Sequence, residues 1–401
     1  MKVRILRWPA PYRFAFGVTD DTDRSTTRRV RAIYEYCIER GILPTRTTWV
    51  HPPRRTCGVG GQEPPDRSVT LADDDYRELC LELQRKGVEM SLHGVSSGDN
   101  TREEVIEGFD RFRAVFGRDP SLIAFHSHNA DNAYWGTSFV RSRIAKAVIA
   151  LLVPHKPEQY LGSVKGSDYY CSDVLFDRVR YIRMFRTIGL NALRVNPSMP
   201  YHAPHTPEVR FWFSTTAEDL HACRRVTPAR LDRLARQDGL FLLYAHMAEK
   251  FVDEHGDVHP EAARALDLIG SRGDCWKAGG TAILDRCLGV KNLVVQTRRT
   301  GVVIANPTSI DLNDLQIRSD APRLLLPTGA ALETVRPGVF RLPMLNAGGA
   351  VCLYQSERDA AVGDPAGISR AEILRMQFEE VIRLVYLRHL VRFFNGKKRS
   401  G

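Results

Sequence analysis

Six residues able to bind a cation or move a proton stand where short apolar runs stop: Asp20, Asp21, His93, His126, His128 and His246. One carboxylate and two neutral imidazoles can hold a divalent metal and still leave positions open for water and substrate. A second carboxylate can accept a proton from water, and a further histidine can return one to a leaving group. Taken singly these features are weak. Adjacent aspartates are often a solvated turn, and a lone histidine is more often structural than a ligand. Their shared position at strand ends is what points to one pocket.

The elements that must carry them alternate. Phe14 to Val18 is strand-like and runs into Thr19-Asp20-Asp21-Thr22-Asp23. Arg28 to Arg40 reads as a helix with Val30, Ile33, Tyr34, Cys37 and Ile38 on one face. Thr45 to Val50 is a strand stopped by His51-Pro52-Pro53, Asp73 to Lys86 a helix, and Val88 to Leu92 a strand delivering His93. Thr101 and Glu104 form a capping box for a helix reaching Phe116, and Leu122 to Phe125 delivers His126-Ser127-His128. Residues 129 to 170 read as an insertion, and later strands are expected to end near Asp173, Arg194, Ser214, His246 and Trp276. This alternation predicts a parallel sheet with crossover helices. In a barrel of parallel strands the C-terminal rim gathers catalytic groups.

The segments Phe14-Ala15-Phe16-Gly17-Val18-Thr19-Asp20-Asp21, Gly87 to His93 and Phe241-Leu242-Leu243-Tyr244-Ala245-His246 resemble, in order and spacing, three motifs of the polysaccharide deacetylases (carbohydrate esterase family 4). The resemblance spans residues 1 to about 290. It implies an α/β fold, a distorted (β/α) barrel of seven strands, and metal-dependent removal of an N-acyl group, acetyl or formyl, from a sugar. By that resemblance Asp21 and His93 bind a divalent metal, with zinc the expected one, Asp20 is the general base and His246 the general acid.

Two departures bear on the site. Ser97 stands where the family's second motif carries its second histidine, and the third motif is replaced by Phe125-His126-Ser127-His128-Asn129. One of the two histidines there is expected to supply the missing ligand, with His128 preferred and His126 binding substrate. His-x-His on a strand points both rings to one face. His51, Asn129 and Trp135 are candidate substrate contacts, and Asp23 and Asp173 could orient other groups. Gly58 to Gly61 lacks the Lys-Ser/Thr of a phosphate loop.

From about Asn292 short strand-like runs predict a small β domain over 291–360, after a barrel over 1–290. Residues 361–401 read as an amphipathic C-terminal helix with a basic end, opened by Ser369 and Glu372. Packing against the β domain is the plain reading of that helix. The sharper one is contact with an anionic membrane surface, where a lipid-linked sugar would be met. The net charge of +10 favours anionic partners, but no nucleic-acid module signature accompanies it. The eight cysteines are scattered, with no Cys-x-x-Cys, and read as reduced. No secretory leader or spanning segment is apparent, so a cytoplasmic location, peripheral at the inner membrane face if the helix docks there, is expected. Two rival functions stand beside the deacetylase. A glycoside hydrolase would need two flanking carboxylates, for which Asp20 and Asp173 are the candidates. A glycan-binding barrel without turnover is the other.

Overall fold

The computed structural model describes residues 1–59, 68–134, 159–187, 189–216 and 219–356, with isolated positions at 142–144, 147 and 360. Trp135, most of the stretch from Ile144 to Val153, and the C-terminal helix expected over 361–401 lie outside the described residues.

Seven parallel strands close into a barrel. They are β2 (Phe14–Asp20), β3 (Thr45–Thr48), β4 (Glu89–His93), β5 (Leu122–Ala124), β6 (Tyr181–Thr187), β7 (Phe211–Thr216) and β8 (Leu240–Ala245). They run in chain order around the ring, and β2 pairs with both β8 and β3 to close it. The closing seam is short: Thr19 and Asp20 pair with Thr45 and Arg46 at the end of β2, while the start of β2 pairs instead with β9 (Cys275–Lys277). That branching is the distortion. The strands β2, β3 and β8 are buried throughout, as expected when helices cover the outside and side chains fill the inside.

Alternation along β2 decides what each residue meets. Phe14, Phe16 and Val18 join the core under the outer helices, with Val30, Ile33, Tyr34 and Cys37 of α1 (Thr27–Glu39). Ala15 lies in the core inside the barrel with Leu240, Leu242, Tyr181 and Phe213. Gly17 shares that inner side, where an added Cβ would lie 2.6 Å from Ile283 Cδ1 and 3.0 Å from the Ala278 carbonyl. Only glycine lets the segment after β9 plug the barrel that closely.

Helix α2 (Asp74–Arg85) follows β3, and α3 (Arg102–Phe116) follows β4. The Thr101–Glu104 capping box is formed at the start of α3, and Gly117 ends it at φ +75°. Two expected strand ends differ. Asp173 lies in the first turn of a helix, Ser172–Arg178, and Arg194 lies in the short helix Ala192–Val195; the strand between them is β6. Asn191 caps that short helix by accepting from the Leu193 N–H, local chemistry that overrides an apolar run.

Beyond the helix Gly280–Lys291 come two antiparallel sheets. One contains β10 (Val294–Thr297), β11 (Gly301–Ala305) and β15 (Ala350–Tyr354). The other contains β12 (Leu312–Ser319), β14 (Val339–Leu345), β13 (Glu333–Arg336) and, from the opposite end of the sequence, β1 (Val3–Pro9). They share one core of Val302, Ile304, Leu315, Ile317, Phe340, Leu342 and Leu353, against which Val3 and Ile5 pack. The β-rich unit therefore begins with the first strand of the chain and is not confined to 291–360. Arg286 fastens it to the barrel through the carbonyls of Arg7 (2.8 Å) and Asn313 (2.6 Å). All eight cysteines are free, and seven are buried. Among the described residues no helix is long and apolar enough to cross a membrane.

Candidate metal centre and its flanking groups

The turn after β2 is held by a buried arginine. Asp20 and Arg46 are register partners on β2 and β3, and both side chains turn outward toward the helices. Arg46 has five N–H donors and each has an acceptor. Nε donates to Tyr76 Oη (3.0 Å), Nη1 to Asp20 Oδ2 (2.7 Å) and the Asp21 carbonyl (3.3 Å), and Nη2 to Thr22 Oγ1 and Ser25 Oγ (2.8 Å each). Asp20 also accepts from Tyr34 Oη (2.8 Å) and the Met247 N–H (2.6 Å). The carboxylate expected to be the general base thus has its oxygens occupied behind the wall of the barrel. Asp21, one residue on, faces inward.

Inside the rim, Arg183 of β6 grips both oxygens of Asp21, through Nη1 at 2.7 Å and through a closer contact from Nη2 to Oδ2. Thr47 Oγ1 also approaches Asp21 Oδ1 (3.4 Å). Burial would raise the Asp21 pKa, but Arg183 and then His93 outweigh it, and the carboxyl lies below its ordinary value. The Arg183 guanidinium sits 4.4 Å from the centre of the Tyr244 ring.

Asp23 is the residue on which the histidines converge. His93 Nε2 is 3.1 Å from Asp23 Oδ2, His126 Nε2 is 3.5 Å from Oδ1, and His246 Nε2 is 3.6 Å from Oδ2. Despite the short approach, Asp23 Oδ2 is buried with no aligned hydrogen-bond donor, and His93 Nδ1 is likewise without a partner. His93 thus turns Nε2 to Asp23 Oδ2 and Nδ1, at 3.6 Å, to Asp21 Oδ2, and buried polar atoms left without hydrogen bonds in this way suit a shared cation. Ligand atoms of Asp21, Asp23 and His93 lie within 4.8 Å of one another and could hold a metal ion. Arg183 contacts both oxygens of Asp21 but leaves each a further lone pair, whereas Asp23 Oδ2 has no aligned hydrogen-bond donor and is the more open to coordination. Burial opposes its charge, yet His93, His126 and His246 hold the Asp23 carboxyl far below the ordinary carboxylate range.

The tautomer of His126 is set from behind. Asn129 donates through Nδ2 to the carbonyls of Ser96 (3.0 Å) and Gly98 (2.6 Å), so its Oδ1 faces His126 Nδ1 at 2.9 Å. Nδ1 must then carry the proton, and the Nε2 lone pair points at Asp23. Burial lowers the His126 pKa and keeps the ring neutral, as a ligand requires. Asn129 is therefore a buried support for His126, and not the sugar contact expected from sequence. His128 Nδ1 faces the Val59 carbonyl at 3.4 Å, so His126 is the member of the His-x-His pair that addresses Asp23. The stretch after Ala124 is no longer strand, and the same-face rule for alternate residues lapses there. Gly98 lets this support close: a Cβ there would lie 2.0 Å from the Arg55 carbonyl.

Trp49 donates from Nε1 to the His93 carbonyl (2.7 Å) and packs its ring 5.8 Å from each of His93 and His126. His51 is buried, with Nδ1 beside the Pro52 carbonyl (2.9 Å) and Nε2 without a partner. His246 follows β8. Its N–H donates to Asp219 Oδ1 (2.8 Å), its Nδ1 lies 3.5 Å from the same oxygen, and its Nε2 meets Tyr244 Oη at 3.1 Å. Burial works against its charge, but Asp219, Asp23 and Asp21 push its pKa up to about 9. Asp173 is tied to Arg102 by two bonds of 2.6 and 2.8 Å, so it is not a carboxylate facing Asp20 across a substrate.

Arg183, Tyr244, Asp219, Trp49 and Arg46 were missed as contributors. An arginine within an otherwise apolar or threonine-rich barrel strand was the available signal for Arg183 and Arg46.

No protein-family model matches the sequence, and no curated protein matches it. Among solved structures the chain is similar to Puue allantoinase, at 11% identity and TM-score 0.40, over 71% of this chain and 93% of that one. It is similar to a probable polysaccharide deacetylase from Pseudomonas aeruginosa PAO1 at 12% identity and TM-score 0.40, over the same shares. An α-fucosidase from Thermotoga maritima matches at 10% identity and TM-score 0.25, over 86% of this chain and 78% of that one.

Proposed function

We propose that the chain is a metal-dependent hydrolase that removes an N-acyl group, acetyl in the first instance, from a sugar of a glycan or lipid-linked glycan. The observation that carries this reading is the convergence of two imidazole nitrogens on Asp23, flanked by an arginine-held carboxylate and a carboxylate-held histidine. The order of the motifs ending in Asp21, His93 and His246 supports it.

Asp23, His93 and His126 would hold the cation, and the donor set of one carboxylate and two imidazoles suits zinc. A divalent cation there supplies Lewis acidity toward the amide carbonyl and makes water acidic enough to attack near neutral pH. Asp21 accepts the proton of the attacking water. The Arg183 fork keeps that carboxylate ionised and fixes its direction. His246, whose pKa Asp219 and the nearby carboxylates raise, donates its proton to the departing amine, which cannot leave as an anion. Asp219 keeps that ring turned toward the centre. Asp20 has no proton-transfer role in this scheme; with Arg46 it fixes the turn that carries Asp21 and Asp23. The glycoside hydrolase alternative loses its second carboxylate to the Arg102 pair.

The test is metal content of the purified chain followed by acetate release from N-acetylated sugars. About one zinc per chain, lost in Asp23→Ala and His93→Ala but kept in Asp20→Asn, is expected. Absence of metal after reconstitution overturns the proposal.

A further inference from the structure

At the opposite end of the barrel a second concave site lies between the barrel and the β-rich unit. Its cavity of about 480 Å³ is lined by Arg4, Arg13, Arg236, Arg318, Arg336 and a single carboxylate, Asp238. Arg13 immediately precedes β2, and Asp238 shortly precedes β8, so the cavity sits at the N-terminal ends of strands whose C-terminal ends carry Asp21 and His246. The length of a seven-residue strand, roughly 20 Å, separates it from the candidate metal centre.

The arginines are brought together by sheet register. Arg4 of β1 is the direct partner of Arg318 on β12, Arg318 is the partner of Val339 on β14, and Val339 is the partner of Arg336 on β13. One transverse row across four strands therefore carries three arginines on one face, with neighbouring strands roughly 5 Å apart. The other face of β1, with Val3 and Ile5, packs on the β core. Arg13 and Arg236 come to the same cavity from the barrel side.

Like charges directly opposite on adjacent strands, as Arg4 and Arg318 are, are unfavourable, and the one carboxylate lining the cavity, Asp238, offsets them only in part. None of the five arginines forms an ion pair within 4 Å with a described residue, although most other arginines near carboxylates in this chain do. Asp238 already accepts from the Arg7 backbone N–H at 3.0 Å. Burial and the neighbouring charges of Arg13 and Arg318 lower the pKa of Arg336, a sign of positive charge in excess. Guanidiniums arranged in this way are satisfied by phosphoryl oxygens, which take two N–H donors at once. A row spanning three strand spacings, roughly 14 Å, is wider than one phosphate requires.

We propose that the cavity between the Arg4–Arg318–Arg336 row and the barrel residues Arg13 and Arg236 binds a soluble small molecule carrying a diphosphate group. The site is independent of the proposed hydrolytic centre, and its occupancy does not require that centre to be functional.

The test is isothermal titration of the full chain with inorganic diphosphate at near-physiological salt, with orthophosphate and sulfate as controls. Diphosphate is expected to bind at least about tenfold more tightly than either control, and the Arg318→Gln/Arg336→Gln double variant to lose about tenfold or more. The thermal midpoint of the double variant without ligand is expected to equal or exceed the parent's, because like charges are removed. Arg13→Gln, outside the sheet, is expected to weaken diphosphate by about threefold or more as an independent reading. Lack of binding at millimolar diphosphate, equal binding of sulfate, unchanged affinity in the variants, or a lowered midpoint in the ligand-free double variant would each overturn the proposal.

Discussion

Replacing Arg46 by Met separates a structural role for Asp20 from a catalytic one. The substitution keeps much of the apolar stem and removes five donors at once. Asp20 retains the hydroxyl of Tyr34 and the N–H of Met247 but loses its charge partner in a site where both side chains are fully buried. Tyr76 Oη, Thr22 Oγ1, Ser25 Oγ and the Asp21 carbonyl each lose a donor. Breaking a buried ion pair from one side costs about 3–5 kcal/mol. At about 2 °C per kcal/mol for a chain of this size, the midpoint should fall by roughly 6–10 °C. The assay is urea or thermal unfolding of Arg46→Met, Asp20→Asn and the double variant. The double variant should lose about 1–3 kcal/mol less than the sum of the singles, because neutralising Asp20 removes the stranded charge. A loss below about 1 kcal/mol in Arg46→Met, or additivity in the cycle, would refute the reasoning that this pair holds the turn.

Four further outcomes are expected. Asn129→Ala should weaken zinc by about 10–100-fold while leaving the fold intact, because His126 loses the partner that sets its tautomer; equilibrium metal competition reads it. Asp21→Asn should keep metal and lose at least about 100-fold in acetate release, whereas His126→Ala should lose the metal itself. In metal-free protein His246 has a folded pKa of about 9 against an ordinary 6.5. Its stabilisation is therefore fully present below pH 6.5 and is lost as pH rises through 9. Urea midpoints should show about 3 kcal/mol less stability at pH 9.5 than at pH 6, a slope that His246→Asn removes. Gly98→Ala should destabilise by about 1–3 kcal/mol, since the new Cβ meets a backbone carbonyl that cannot swing away; a midpoint equal to the parent's would show that the loop can move.

The sequence by itself determined the elements and the rim. The spacing of Val30, Ile33, Tyr34 and Cys37, the Thr101–Glu104 box and the apolar runs ending at Asp20, His93 and His246 are local signals, and each element formed within a few residues of its expected bounds. Both aspartates were expected in one pocket, but alternation along Phe14 to Asp21 puts them on opposite sides of the wall. Phe16 and Val18 face the helices with Asp20, while Ala15 and Gly17 face the barrel with Asp21. What only the tertiary structure decided was partnership. Arg46 meets Asp20 because β2 and β3 close the ring in one register, and Arg183 meets Asp21 from a strand 162 residues away. Asp23 lies in a turn without periodicity, so nothing local could show that histidines at the ends of three separate strands would face it. The first strand joined the last sheet for the same reason. Strand pairing is chosen by which apolar faces remain to be covered once the barrel is closed, and that is a property of the whole chain.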